Sequence, residues 1–172
     1  MERKTPIEPK SYQVVVQAIL PVPASEFWQL IEQPHFLKKI HPLAANHTMV
    51  HWPGNDAHDI VEYYSGLTIH RCFYEWSANC LKLEVYIKGE KQAQVRWDII
   101  PKTATETDLT IRLNPVSFRE YPKVIRFLIY RLYLNRMFRS YINHVIKGAI
   151  YYFETGQPVK PNQFGTLRYF SY

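Results

Sequence analysis

The sequence predicts an α+β domain in which a curved antiparallel β-sheet wraps a long C-terminal helix, with room between the two. Three observations carry that prediction. From residue 46 to residue 114, short segments alternate apolar with polar residues and are separated by tight turn signals. That is the texture of hairpin-connected strands with one buried and one wet face. After Pro122 one apolar stripe repeats at helical spacing as far as Phe153. Two brief helical segments follow the first strand, too short to be the crossovers of a parallel sheet.

The elements follow in order. Residues 1–11 are a polar lead-in with prolines at 6 and 9. Tyr12 to Leu20 is rich in β-branched residues and reads as the first strand, closed by Pro21 and Pro23. Ala24 to Glu32 makes a short helix with Phe27, Trp28 and Ile31 on its buried stripe, and Pro34 stops it. Phe36 to Ile40 forms a second helical turn before Pro42. Thr48 to Trp52 is a strand ending at Pro53-Gly54-Asn55-Asp56, and His58 to Tyr64 returns toward Ser65-Gly66.

A longer strand covers Leu67 to Ser77 and another Leu81 to Ile87. In the latter, Leu81, Leu83, Val85 and Ile87 share one face against Lys82, Glu84 and Lys88. Gly89-Glu90 supplies a turn. Ala93, Val95, Trp97 and Ile99 then oppose Gln94, Arg96 and Asp98, and Leu109, Ile111 and Leu113 oppose Asp108, Thr110 and Arg112. The closing helix carries Val124, Leu128, Leu134, Phe138, Ile142, Val145, Ala149 and Phe153, with the stripe interrupted near Arg131. It is predicted to stop at Gly156 with Pro158 just beyond. About 30 residues at 1.5 Å rise would span roughly 45 Å, long enough to cross the sheet. Residues 156–172 are expected to pack along the surface. No repeat or low-complexity linker divides the chain, so residues 12–155 are predicted to be one domain.

Composition narrows the class. The chain has 172 residues, ample for one hydrophobic core, and its 47% hydrophobic content excludes wholesale disorder. Thirteen tyrosines and nine phenylalanines are a large aromatic share. They serve either as bulky core or as a lining whose hydroxyls orient a bound molecule. Two cysteines, Cys72 and Cys80, do not make a disulfide scaffold. The polar start lacks an apolar leader, and no stretch reaches the roughly 18 apolar residues of a membrane span. A soluble protein of the cytoplasm is the simplest expectation.

The order of elements resembles the START-like superfamily, also called Bet v 1-like, polyketide cyclase/dehydrase-like or SRPBCC. Tyr12 to Ile31 is similar to the family's opening strand followed by a Pro-Ala-x-x-Val/Phe-Trp helix start, here Pro23-Ala24-Ser25-Glu26-Phe27-Trp28. Phe36-Leu37-Lys38-Lys39-Ile40-His41-Pro42 is similar to the second-helix element that ends in Trp/His-Pro. The resemblance covers residues 12–155 and implies the helix-grip fold. It also implies a cavity for a lipid, sterol, aromatic polyketide or other hydrophobic molecule, which some members convert and others carry. The family has no universal catalytic motif, so no catalytic role is transferred from it to a residue here.

The candidate pocket is read from facing. Leu83, Val85, Val95, Trp97, Leu109 and Ile111 are the sheet-side candidates. On the strand from 67 to 77 the even set, His70, Cys72, Tyr74 and Trp76, is placed inward, because one imidazole is easier to bury than Arg71 and Glu75. The alternative is that Arg71 and Glu75 form a buried polar pair. Leu134, Phe138, Ile142 and Val145 are the helix-side candidates, and Tyr64, Tyr74 and Tyr141 are candidates for placing hydroxyls in the pocket. For each, ordinary core packing competes with ligand contact.

Seven histidines occur without a His-Glu-x-x-His spacing, and neither cysteine adds a zinc pattern, so no metal is expected. His51 and His58 flank a turn, yet no third ligand is compelling. His70 or Glu62 beside a bound enolizable or aromatic substrate are the acid-base candidates. No nucleophile elbow, phosphate loop or dinucleotide fingerprint is present, so no cofactor is expected.

From Arg119 to Lys147 the chain has seven basic residues and one acidic residue, Glu120, an excess equal to the net +6 of the whole sequence. Lys123, Arg126, Arg136, Arg139 and Lys147 either solvate the helix or approach an anionic membrane. No base-reading module accompanies them, so specific nucleic-acid binding is not expected. The leading expectation is a carrier of a hydrophobic small molecule or lipid, acting as a monomer or weak homodimer. The alternatives are a cyclase or dehydratase acting on an aromatic or polyketide-like substrate, and an interaction protein pairing through Phe164, Tyr169 or Phe170.

Overall fold

A computed structural model describes residues 12–116 and 121–171. The lead-in 1–11, Arg119, Glu120 and Tyr172 lie outside the described residues. One curved sheet holds seven strands, all paired antiparallel in the order β1-β7-β6-β5-β4-β3-β2. They are β1 Val14–Leu20, β2 Ala44–His51, β3 His58–Tyr63, β4 Thr68–Ser77, β5 Cys80–Ile87, β6 Glu90–Pro101 and β7 Thr107–Pro115. Hairpins link β2 through β7 in sequence. β1 closes against β7, with Val14 opposite Leu113 and Ala18 opposite Leu109.

The two short helices fall where the prolines put them. Helix α1, Ala24–Glu32, begins after Pro23 and buries Phe27, Leu30 and Ile31. Trp28 is half-buried and meets Trp76 edge-on. Helix α2, Leu37–Ile40, is a single turn whose Leu37 and Ile40 are buried.

Inner and outer faces of β5, β6 and β7 follow the alternation. Leu81, Leu83, Ala93, Val95, Trp97, Ile99, Leu109, Ile111 and Leu113 are buried. The outer face carries ion pairs, among them Asp98 with Arg96 and Arg112, and Glu84 with Lys91.

The C-terminal cover is not one unbroken α-helix. Helix α3 spans Lys123–Ile129, a π-helical segment occupies Tyr130–Leu134, and α4 runs from Asn135 to Thr155. The π segment sits at the interruption near Arg131, and the buried stripe begins only at Leu134, since Val124 and Leu128 of α3 are exposed. Tyr130 and Arg139 anchor this region to β1 by donating to the carbonyls of Gln13 and Val15, at 2.8 and 2.9 Å. Gly156 ends α4 with φ of 69°, a left-handed conformation that glycine adopts without a Cβ penalty.

Helix α4 crosses α2 at Gly148, where a Cβ would lie 1.9 Å from the Ile40 carbonyl oxygen. Only the absence of a side chain permits that approach. It brings the His41 turn against the face of α4. The segment after Gly156 does more than lie along the surface. Phe170 is buried, with ring centroids 4.9 Å from Tyr63 and 4.6 Å from Tyr141. The tail therefore contributes to the interior.

Candidate functional site: a chamber between sheet and helix

Sheet curvature carries the inner face away from α4 and leaves a chamber of about 320 Å3. Volumes of this order suit small-molecule sites, which are mostly apolar with a few placed polar groups. Leu83 and Val85 of β5, Val95 and Trp97 of β6, and Ile111 and Leu113 of β7 form the sheet wall. Met137, Phe138, Ile142 and Val145 of α4 form the opposite wall, and Tyr169 and Phe170 of the tail also line the space.

Six polar side chains interrupt that lining: Gln92, Tyr169, His41, Tyr63, Arg71 and Tyr141. Tyr63 Oη lies 2.6 Å from Tyr141 Oη, and His41 Nε2 lies 3.0 Å from the same Tyr141 oxygen. Behind them, Arg71 donates to Asp59 through Nε at 2.8 Å and Nη2 at 2.5 Å. His47 Nε2 meets the same carboxylate at 2.9 Å. Asp59 and His47 are fully buried, so this network is sealed from solvent on its outer side.

The electrostatics follow from burial. Desolvation, reinforced by the nearby Arg71 charge, lowers the His41 pKa to about 3, so the imidazole is neutral at physiological pH. Burial lowers His47 as well, against the pull of its bond to Asp59. Burial opposes ionisation of Asp59, but the guanidinium of Arg71 and the bonds from His47 and Arg71 hold its carboxyl below the usual range. Desolvation also works against the Arg71 charge, which the Asp59 carboxylate more than restores. Burial and the mutual contact push the Tyr63 hydroxyl well up, and burial raises Tyr141.

No family model and no curated protein matches the sequence. Solved structures match the architecture. A START superfamily protein from Mycobacterium smegmatis superposes with a TM-score of 0.65 at 12% identity, covering 84% of this chain and 99% of that one. The Zhui aromatase/cyclase from Streptomyces sp. R1128 gives 0.57 at 12% identity over 86% and 98% of the two chains. DynU16, from the dynemicin biosynthetic locus, gives 0.59 at 18% identity over 87% of this chain. The match covers 49% of DynU16, so this chain spans about half of that protein. This is the START-like helix-grip fold. At such identities the likeness speaks to fold alone, not to a ligand or a reaction.

Within the helix-grip frame the predicted site residues divide. Leu83, Val85, Val95, Trp97, Ile111, Phe138, Tyr141, Ile142 and Val145 line the chamber. Leu109 and Leu134 are buried but do not line the chamber. The facing of β4 is the reverse of the expectation. Ile69, Arg71 and Phe73 are buried, whereas His70 and Cys72 turn outward and Tyr74 is half exposed. A β-bulge between Phe73 and Glu75 then shifts the register by one residue. Trp76 consequently turns inward despite sharing parity with His70. It joins a cluster with Trp52 and Phe73, at ring centroids 4.8 and 5.2 Å, and does not line the chamber.

The acid-base candidates lie on the wrong side of the sheet. Glu62 is exposed, and His70 pairs with His58 across the outer face at 3.2 Å. His51 sits opposite His58 in the β2–β3 register. Among the described residues no three His, Cys, Asp or Glu side chains gather as a metal site. Both cysteines are free thiols.

Tyr64 lines a separate polar cleft with Lys38 and Lys160, and its neighbour Tyr63 is the residue in the chamber. Asp59, Val61 and Tyr63 alternate inward on β3, and Glu62 facing solvent was the signal that Tyr63 faces in. Arg71 finds Asp59 as its buried partner, while Glu75 pairs with Lys82 outside. His41 and His47 had no local signal.

Proposed function

We propose that the chain binds and carries a hydrophobic small molecule or lipid in the chamber between the sheet and α4. The observation that carries this reading is a predominantly apolar space in which His41, Tyr63 and Tyr141 form one hydrogen-bonded cluster beside Arg71. Such a site stabilises a ligand by removing its apolar surface from water, at about 25 cal/mol per Å2 before ordering costs, and orients it through the cluster. Native mass spectrometry of the gently purified protein is expected to detect a retained organic ligand. Stripped protein is expected to bind apolar compounds saturably, and failure of both tests would defeat the reading.

The same cluster supports a second reading, a cyclase or dehydratase acting on an aromatic or polyketide-like substrate. The Zhui protein of this fold bears the name aromatase/cyclase. Here the proton-handling groups would be His41 and Tyr141 in the chamber, not His70 or Glu62. Recovery of ligand unchanged after prolonged incubation counts against turnover.

Anionic membrane is the partner surface this carrier would meet in the cytoplasm. None of the residues of α3 is buried, and Val124, Leu128 and Leu132, spaced by four, are 71, 48 and 73% exposed. From Tyr121 to Phe153 there is no acidic residue, while Lys123, Arg131 and Arg136 are exposed. An apolar stripe flanked only by positive charge suits the interface of an anionic bilayer, and like charges oppose self-association through the same face. No helix among the described residues is long and apolar enough to cross a membrane. Flotation with vesicles containing phosphatidylserine, but not with phosphatidylcholine alone, is expected. Leu128→Glu/Leu132→Glu should abolish it.

A further inference from the structure

We infer that the ligand presents an uncharged hydrogen-bond acceptor, such as a ketone, ester, amide or quinone carbonyl, to the Tyr63–Tyr141 hydroxyl pair. The inference rests on the chamber being a ligand site and specifies which polar group that ligand carries. It follows from counting hydrogens.

The Leu43 backbone N–H donates to His41 Nδ1 at 3.3 Å, so Nδ1 bears no hydrogen. The single ring hydrogen of the neutral imidazole is therefore on Nε2, which donates to Tyr141 Oη at 3.0 Å. Tyr141 and Tyr63 add one hydroxyl hydrogen each, and one contact, at 2.6 Å, joins them. Three hydrogens thus serve two contacts. If Tyr141 donates to Tyr63, the Tyr63 hydrogen is left over. If Tyr63 donates, the Tyr141 hydrogen is left. Among the described residues no other acceptor bonds either hydroxyl, and both line the chamber. A buried donor without an acceptor is costly, so a ligand that brings one is selected over an isosteric hydrocarbon.

Charge decides what kind of acceptor. The Arg71 guanidinium is already held at both Nε and Nη2 by the Asp59 carboxylate, and the two formal charges cancel. Neither His41 nor His47 adds positive charge near neutral pH. A carboxylate ligand would enter an apolar space with no free counter-charge, which a neutral carbonyl avoids.

Three isosteric probes test this on the stripped full-length protein: 2-isopropylnaphthalene, 2-acetylnaphthalene and 2-naphthoate, with the matched 2-methyldodecane, 2-dodecanone and undecanoate as a second shape. Equilibrium binding is expected to favour each ketone over its hydrocarbon by about tenfold, with the carboxylates weakest. Infrared spectra should show the bound carbonyl stretch moved to lower frequency. Tyr63→Phe/Tyr141→Phe should reduce that displacement and narrow the preference for ketone over hydrocarbon. Equal affinity for ketone and hydrocarbon with an unmoved carbonyl band overturns the inference and leaves the carrier reading standing. Tightest binding by the carboxylates also overturns it and makes Arg71 the anchor. Absence of saturable binding by all six probes overturns the carrier reading and the inference together. The comparison among probes on the unmodified protein holds even if the double variant fails to fold.

Discussion

Asp59 and Arg71 stand opposite each other in the β3–β4 register and join as a two-pronged ion pair on the inner face of the sheet. Both are buried, so each compensates the desolvation of the other, and removing one leaves an unpaired interior charge. Arg71→Leu is expected to lower unfolding free energy in urea by about 3–5 kcal/mol. The double variant Asp59→Leu/Arg71→Leu should recover much of that loss. Additive losses in the double variant would show that the two side chains are not coupled.

Acid should weaken the fold earlier than carboxylates alone explain. His41 has a native pKa near 3 against an ordinary 6.5, so between those values the unfolded chain binds more protons. Its contribution is fully present above pH 6.5 and is lost progressively as pH falls toward 3. His47 acts in the same direction over a window that also opens at 6.5. Asp59, depressed below its ordinary 3.8, adds a loss that starts only below that value. Urea titrations from pH 8 to pH 4 should show stability falling from about pH 6.5, with His41→Gln reducing the slope between pH 6 and pH 4. An unchanged slope would remove His41 from the account.

Gly148 sets how closely α4 approaches α2. Alanine is the better helix former by about 1 kcal/mol, yet its Cβ would meet the Ile40 carbonyl oxygen at 1.9 Å. The clash is with backbone and cannot be relieved by a rotamer. Gly148→Ala is expected to cost about 1–3 kcal/mol, measured by thermal or urea unfolding. It should also disturb the His41–Tyr141 contact. A stabilised variant would mean that the helices separate freely.

Val85 lines the chamber from β5 and is only half-buried, which allows a larger side chain to project into the space. Val85→Trp is expected to lower affinity for apolar ligands by tenfold or more, with overpacking costing about 1–3 kcal/mol of stability. Circular dichroism would confirm that the fold persists. Unaltered affinity in a folded variant would move the binding site elsewhere.

The parts of the fold legible in the sequence are those governed by local periodicity. Charged and apolar residues alternate so cleanly across 81–88, 93–99 and 108–113 that a wrong facing would bury several charges at once. The end of the long helix was legible at Gly156 for a similarly local reason. On β4, keeping both Arg71 and Glu75 out of the interior put His70, Cys72 and Tyr74 on the wrong side, and Arg71 is the charge that is buried. Desolvating that charge is prohibitive only without a partner, and the partner is Asp59, one strand away. The bulge at Phe73/Glu75 then broke the parity on which any alternation rule depends.

What the sequence by itself determined is the order of elements, the wet and dry faces of three strands and the stop of α4, all consequences of side chains and backbone acting on near neighbours. Only the tertiary structure decided the polar corner of the chamber. Its members come from the turn after α2, from β3, from β4 and from α4, with His41 and Tyr141 100 residues apart along the chain. Each was individually affordable in the interior only because folding delivered a hydrogen-bonding or charged partner, and that coincidence leaves no trace in the spacing of residues.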